Sequence, residues 1–160
     1  ELLFLDEPTS AVDPESRRDF WEKLFELADI GTTLLVSTHL MDEAERCHRL
    51  AILDRGALVA DGTPGELTAE LDGRTFVVDT ADPRAAQRAL VDVPGVLGVA
   101  QVGNTLRVLI ADGSGDVAQR MHQALAATGS KAEVAATPPN LEDVFVAATR
   151  KGDADAERAA

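Results

Sequence analysis

Two adjacent carboxylates, Asp6 and Glu7, stand directly after the apolar run Leu2 to Leu5. About thirty residues on, a second apolar run, Thr32 to Ser37, is followed by Thr38 and His39. If both runs are strands lying parallel, their ends share one sheet edge, where ligands bind in α/β folds. Paired carboxylates at such an edge suit nucleotide hydrolysis. One helps to hold Mg²⁺, usually through water, and the other polarises the attacking water. Asp6 and Glu7 fit those roles in that order. An imidazole beside them can hydrogen-bond a phosphate oxygen or the attacking water. Taken alone, the Asp-Glu pair would also suit a solvated acidic turn, and a lone His at a strand end would suit a cap.

The elements that position these residues can be read from the pattern. Leu2 to Leu5 shows no polar alternation, so a strand buried on both faces is expected. Asp13, Pro14 and Glu15 form a helix start, with Asp13 as N-cap. Phe20, Trp21, Leu24, Phe25 and Leu27 then recur at helical spacing, and Gly31 closes the helix. Thr32 to Ser37 is a strand, Met41 to Cys47 a short acidic helix, and Arg49 to Leu53 a third strand. This third strand turns back at Asp54-Arg55-Gly56 into Ala57 to Ala60. Such an order argues for a mostly parallel sheet covered by helices. A helix from Thr63-Pro64 to about Leu71 ends this part, and a domain boundary is expected near Gly73.

From Arg74 to Ala135 the order becomes βαββαβ: strand 74–79, helix 83–90, strands 96–102 and 105–110, helix 115–127 and strand 131–135. This is the split-βαβ, ferredoxin-like order. A helix over 141–149 follows, then a polar tail, 151–160, expected to be flexible.

LLFLDEP (2–8), TSAVD (9–13) and STH (37–39), in this order and spacing, resemble the Walker B motif, D-loop and H-loop of ABC transporter ATPases. The stretch 39–67 resembles the region after the H-loop in exporter-type members, including drug-efflux ATPases. LEDVFVAAT (141–149) looks like the closing helix of their C-terminal domain. The resemblance implies Asp6 as the magnesium aspartate, Glu7 as the catalytic glutamate and His39 as the switch histidine that senses γ-phosphate. It also implies that Ser10 to Asp13 contact the second subunit and its nucleotide. The expected cofactors are ATP and Mg²⁺. The expected partners are a second ATPase subunit and a separately encoded permease, which would hold the protein at the cytoplasmic face of the membrane.

The same residues mark a departure. A phosphate-cradling loop needs G-x-x-x-x-G-K-[ST]. The three lysines follow Glu22, Ser130 and Arg150, and none of the 12 glycines adjoins another, as the family's signature loop requires. We therefore expect a chain carrying residues 1–72 as the C-terminal half of an ATPase domain and 73–150 as an accessory domain. Such a chain would be truncated and inactive alone. Two alternatives stay open: a soluble ABC protein outside transport, and a nucleotide-independent regulatory module in 74–150.

Composition narrows the classes. The net charge is −13, with 17 acidic and 6 basic side chains in residues 1–72, so a nucleic-acid backbone is a poor partner. A single cysteine, Cys47, excludes an internal disulfide. Cys47-His48 lacks the second pair of ligands that a structural zinc needs. His122 reads as a structural or surface residue, and Asp42, Glu43 and Glu45 as a solvated acidic face.

Overall fold

The computed structural model describes residues 1–111 and 115–159, with side chains as far as Arg150. It is a mixed α/β structure that divides into two compact units, Glu1–Arg46 and Cys47–Ala160. The first unit contains β1 (Leu2–Asp6), α1 (Pro14–Asp29), β2 (Thr33–Ser37) and α2 (Met41–Ala44). β1 and β2 pair in parallel, with Leu2 opposite Thr33 and Asp6 opposite Ser37, so both strands end at one edge. α1 starts where the sequence predicts. Asp13 accepts hydrogen bonds from the amides of Glu15 (3.1 Å) and Ser16 (3.0 Å), and Pro14 opens the first turn. Gly31 follows the helix at φ +93°, a backbone state that costs glycine little. α1 buries Trp21 and Leu24, and the rings of Trp21 and Phe25 meet at 5.8 Å.

The expectation that β1 is buried on both faces fails. Residues alternate along both strands, and Leu2, Phe4 and Leu35 lie on one exposed face at 54%, 66% and 59% of their maximal accessibility. The cause is layering: α1 packs on the opposite face of the pair, and within the unit nothing covers this one. The third strand, β3 (Leu50–Asp54), also departs from expectation. It pairs antiparallel with β4 (Ala57–Gly62) in a separate two-stranded sheet. Arg55 and Gly56, both at positive φ, make the tight turn between them. α3 (Pro64–Ala69) begins with a reciprocal cap: the Thr63 hydroxyl accepts from the Glu66 amide, and the Glu66 carboxylate accepts from the Thr63 amide.

The remaining elements are β5 (Thr75–Thr80), α4 (Pro83–Val91), β6 (Val96–Val102), β7 (Thr105–Ile110), α5 (Gly115–Ala127), β8 (Ala132–Ala136) and α6 (Leu141–Ala159). The βαββαβ order is present through Ala136. The four strands form an antiparallel sheet ordered β6-β7-β5-β8. Its core joins Val78, Leu106, Val108 and Ile110 of the sheet to Ala86 and Leu90 of α4 and to Val117, Met121 and Leu125 of α5. His122, on the other side of α5, is exposed, which favours the surface reading over the structural one.

α6 packs on β6, β3, β4 and α3, which is why the unit begins at Cys47, ahead of Gly73. Its first turn is fixed by a network. Arg107 donates to both oxygens of Asp143 at 2.6–3.0 Å and to the Pro138 carbonyl at 2.7 Å. Asp143 accepts from the Asn140 amide, and Asn140 accepts from the Asp143 amide. The helix continues to Ala159, through the segment read from the sequence as a polar tail. Residue 160 lies outside the described residues.

Candidate active site at the β1–β2 edge

β1 delivers Asp6 and Glu7 to the edge, and β2 delivers Ser37 opposite Asp6. The Ser37 hydroxyl donates a short hydrogen bond to Asp6 Oδ1. The Glu7 amide is bound to the Ser37 carbonyl at 3.0 Å and lies 3.1 Å from its hydroxyl. These contacts turn the chain sharply: Glu7 sits at φ +41°, a left-handed conformation that costs a non-glycine residue about 1–3 kcal/mol. The turn carries the Glu7 side chain to His39, whose Nδ1 lies 3.2 Å from Glu7 Oε1. Both side chains are about half exposed or more, at 50% and 62%. Asp6, Glu7 and His39 are thus brought to one solvent-accessible edge, as the spacing predicts.

Ser10 and Asp13 lie on the loop that leaves this edge. The Ser10 amide donates to the Glu7 carbonyl at 3.1 Å, and Ser10 is exposed. Asp13 spends its carboxylate on the cap of α1; the amide and hydroxyl of Ser16, ahead of the Glu15 amide, hold its pKa below the ordinary carboxylate value.

Sequence reasoning missed a second layer. Glu43, read as part of a solvated face, is fully buried. Its Oε1 accepts a short hydrogen bond from the Thr9 hydroxyl, and its Oε2 one from Thr38 at 2.8 Å. Arg17 Nε stands 3.7 Å from Oε1. Burial pushes the Glu43 pKa up, but the hydroxyls of Thr9 and Thr38, the Trp21 indole and the Arg17 charge hold it below its ordinary value. α2 has four residues, too few for a hydrophobic period to show which face is inward. Two hydroxyl residues within the motifs, Thr9 and Thr38, were the available signal.

An exposed Asp–Glu–His edge on parallel strands is open to a ligand, and the carboxylate–imidazole pair can accept or relay a proton. The chain is 51% identical to the probable multidrug ABC transporter ATP-binding protein YbhF of Escherichia coli over 70 residues, 44% of this chain and 12% of that protein. It is 34% identical to the Nod factor export ATP-binding protein I of Rhizobium etli over 151 residues, which cover 93% of this chain and 45% of the relative. The chain is a homologue of ABC transporter ATP-binding proteins. A third homologue is the daunorubicin/doxorubicin resistance ATP-binding protein DrrA of Streptomyces peucetius, 39% identical over 62% of the chain and 30% of the relative. The chain thus spans less than half the length of each of these homologues. No family model matches it. Among the described residues no helix is long and apolar enough to cross a membrane.

Proposed function

We propose that this chain forms part of the ATP-hydrolysing subunit of an ABC-type exporter. The observation that carries the reading is the 3.2 Å approach of His39 to Glu7 beside Asp6, on a chain homologous to exporter ATP-binding proteins. In this reading Glu7 polarises the attacking water, and His39 orients it and hydrogen-bonds the γ-phosphate. Ser10 and Asp13 lie on the loop that meets a second subunit. A separately encoded permease holds the dimer at the cytoplasmic face of the membrane.

The donor set fits magnesium. Mg²⁺ keeps several waters and takes one or two carboxylates together with substrate phosphates. Asp6 offers an exposed carboxylate that Ser37 orients through one oxygen. When bound, the ion supplies charge neutralisation for the phosphates. Residues 1–72 correspond, in this proposal, to the C-terminal half of the ATPase domain. Residues 73–150 form an accessory domain, and the sheet order β6-β7-β5-β8 supports a ferredoxin-like assignment for it. The 160 residues alone do not turn over ATP, because phosphate grip comes from a loop of backbone amides and a lysine that their sequence does not contain.

A chimera tests this. These residues replace the matching part of the Rhizobium etli homologue, and ATP hydrolysis is measured with and without Glu7→Gln. The chimera should hydrolyse ATP, and the variant should bind Mg-ATP without turning it over. A Glu7→Gln chimera working at the unsubstituted rate would refute the role given to Glu7.

A further inference from the structure

Burying a carboxylate is expensive unless hydrogen bonds and a counter-charge offset the lost hydration. Glu43 meets that cost with partners from three separate places. Thr9 is two residues beyond Glu7, Thr38 directly precedes His39, and Arg17 belongs to α1. One side chain thereby ties the loop after β1, the turn after β2 and the first helix together. The loop it holds is strained on both sides of the anchor, with Glu7 at φ +41° and Ala11 at φ +61°. Such conformations persist only where the surroundings over-determine them. The fully buried Thr9–Glu43 hydrogen bond supplies that constraint from below, while the Glu7 amide is held by Ser37 from the side.

We propose that Glu43 is a positioning residue that keeps Glu7 and His39 in register across the β1–β2 edge. Its functional meaning rests on the reading of Glu7 and His39 as the water-activating pair. Glu43 does not touch the reacting atoms; it fixes the two backbone segments from which the pair projects. The charge is needed for this. A neutral amide at the same place weakens both hydroxyl contacts, because hydrogen bonds to an ionised acceptor are about twice as strong as neutral ones, and it leaves Arg17 with only the exposed Asp42 carboxylate, 3.9 Å away, as a counter-charge.

The test uses the isotope-labelled 160-residue chain at fixed neutral pH, without nucleotide. The ring resonances of His39, His48 and His122 are followed by NMR, and fluorescence of Trp21, the single tryptophan, reports that its unit stays folded. Glu7→Gln first locates the His39 signal of a ring deprived of its carboxylate partner. Glu43→Gln and Thr9→Val should each move the His39 signal at least half of the way to that position, with His48 and His122 unmoved. A His39 signal that stays at its native place in a folded Glu43→Gln chain overturns the proposal. If Glu43→Gln unfolds the unit, Thr9→Val, which removes the other arm and leaves the turn around His39 intact, decides the question by the same criterion. Failure of the ATPase reading would appear in the chimera's turnover and would leave this comparison untouched.

Discussion

His39 Nδ1 and Glu7 Oε1 stand 3.2 Å apart on residues separated by 32 positions, each at the end of a different strand. Neither side chain is buried, so the pair owes little to desolvation and much to the backbone that aims it. In the chimera described above, His39→Ala should lower ATP turnover by about 10²–10⁴-fold, the range for a group that positions a reacting proton. Mg-ATP binding should fall far less. Equal losses in both would mean that His39 serves binding and not the chemical step.

Arg107 and Asp143 are mostly buried, with side-chain accessibilities of 17% and 7%. Removing one partner of a buried pair costs roughly 3–5 kcal/mol, because the other charge is left uncompensated. Asp143→Leu should therefore destabilise the second unit by about 3 kcal/mol in urea unfolding. The double variant Arg107→Met/Asp143→Leu should lose less than the two single variants together. Additive losses would show that the pair is not coupled.

Gly95 adopts φ +94°, and a Cβ placed there would sit 2.4 Å from Val117 Cγ2. Gly95→Ala meets both a backbone penalty of about 1–2 kcal/mol and the cost of overpacking. A loss of about 2–4 kcal/mol in urea unfolding is expected. Gly95→Ala combined with Val117→Ala should recover part of it, and no recovery would place the cost in the backbone alone.

Acid should loosen the first unit through Glu43. Its pKa in the fold lies below the ordinary value of 4.5, so the unfolded chain binds the proton more readily. The stability it contributes is present above that value and is lost as pH falls through the lower, folded value. Asp13, shifted in the same direction, adds to the effect. The urea midpoint read from Trp21 fluorescence should drop as pH falls below about 5. In Glu43→Gln the midpoint should be lower at neutral pH and flatter across that range; an equally steep drop would assign the effect to other carboxylates.

Leu2, Phe4 and Leu35 make an apolar face that water reaches. A dye such as ANS should bind the isolated chain, since contiguous exposed apolar side chains on a short sheet form a docking patch. Phe4→Ser with Leu35→Ser should remove most of that fluorescence while shifting stability by no more than about 0.5 kcal/mol per site. Undiminished dye binding would locate the patch elsewhere.

The legible parts of this chain are those with local chemistry. Asp13-Pro14 marks a helix start because the cap and the fixed φ of proline act within one turn, and α1 begins there. Hairpin and sheet boundaries such as Val96–Val102 and Thr105–Ile110 follow from β-branched residues on either side of the Gly103-Asn104 turn. The edge bearing Asp6, Glu7 and His39 was legible because strand ends carry it. What escaped were relations between segments. The sequence of β3 does not say that it pairs with β4 alone, nor that β1 shows one face to solvent. Nor does an acid in a four-residue helix announce that two threonines, 34 and 5 positions back, surround it.

The placement of α6 sets an order in time. The helix touches β3, β4, α3 and β6, and through Asp143 it closes on β7, yet it follows all of them in the chain. A ribosome releases those five elements before the one that joins them. The second unit therefore waits, with apolar hairpin and sheet surfaces uncovered, until residues 141–148 leave the exit tunnel. During synthesis that interval, and not the finished fold, is when chaperones have most to bind.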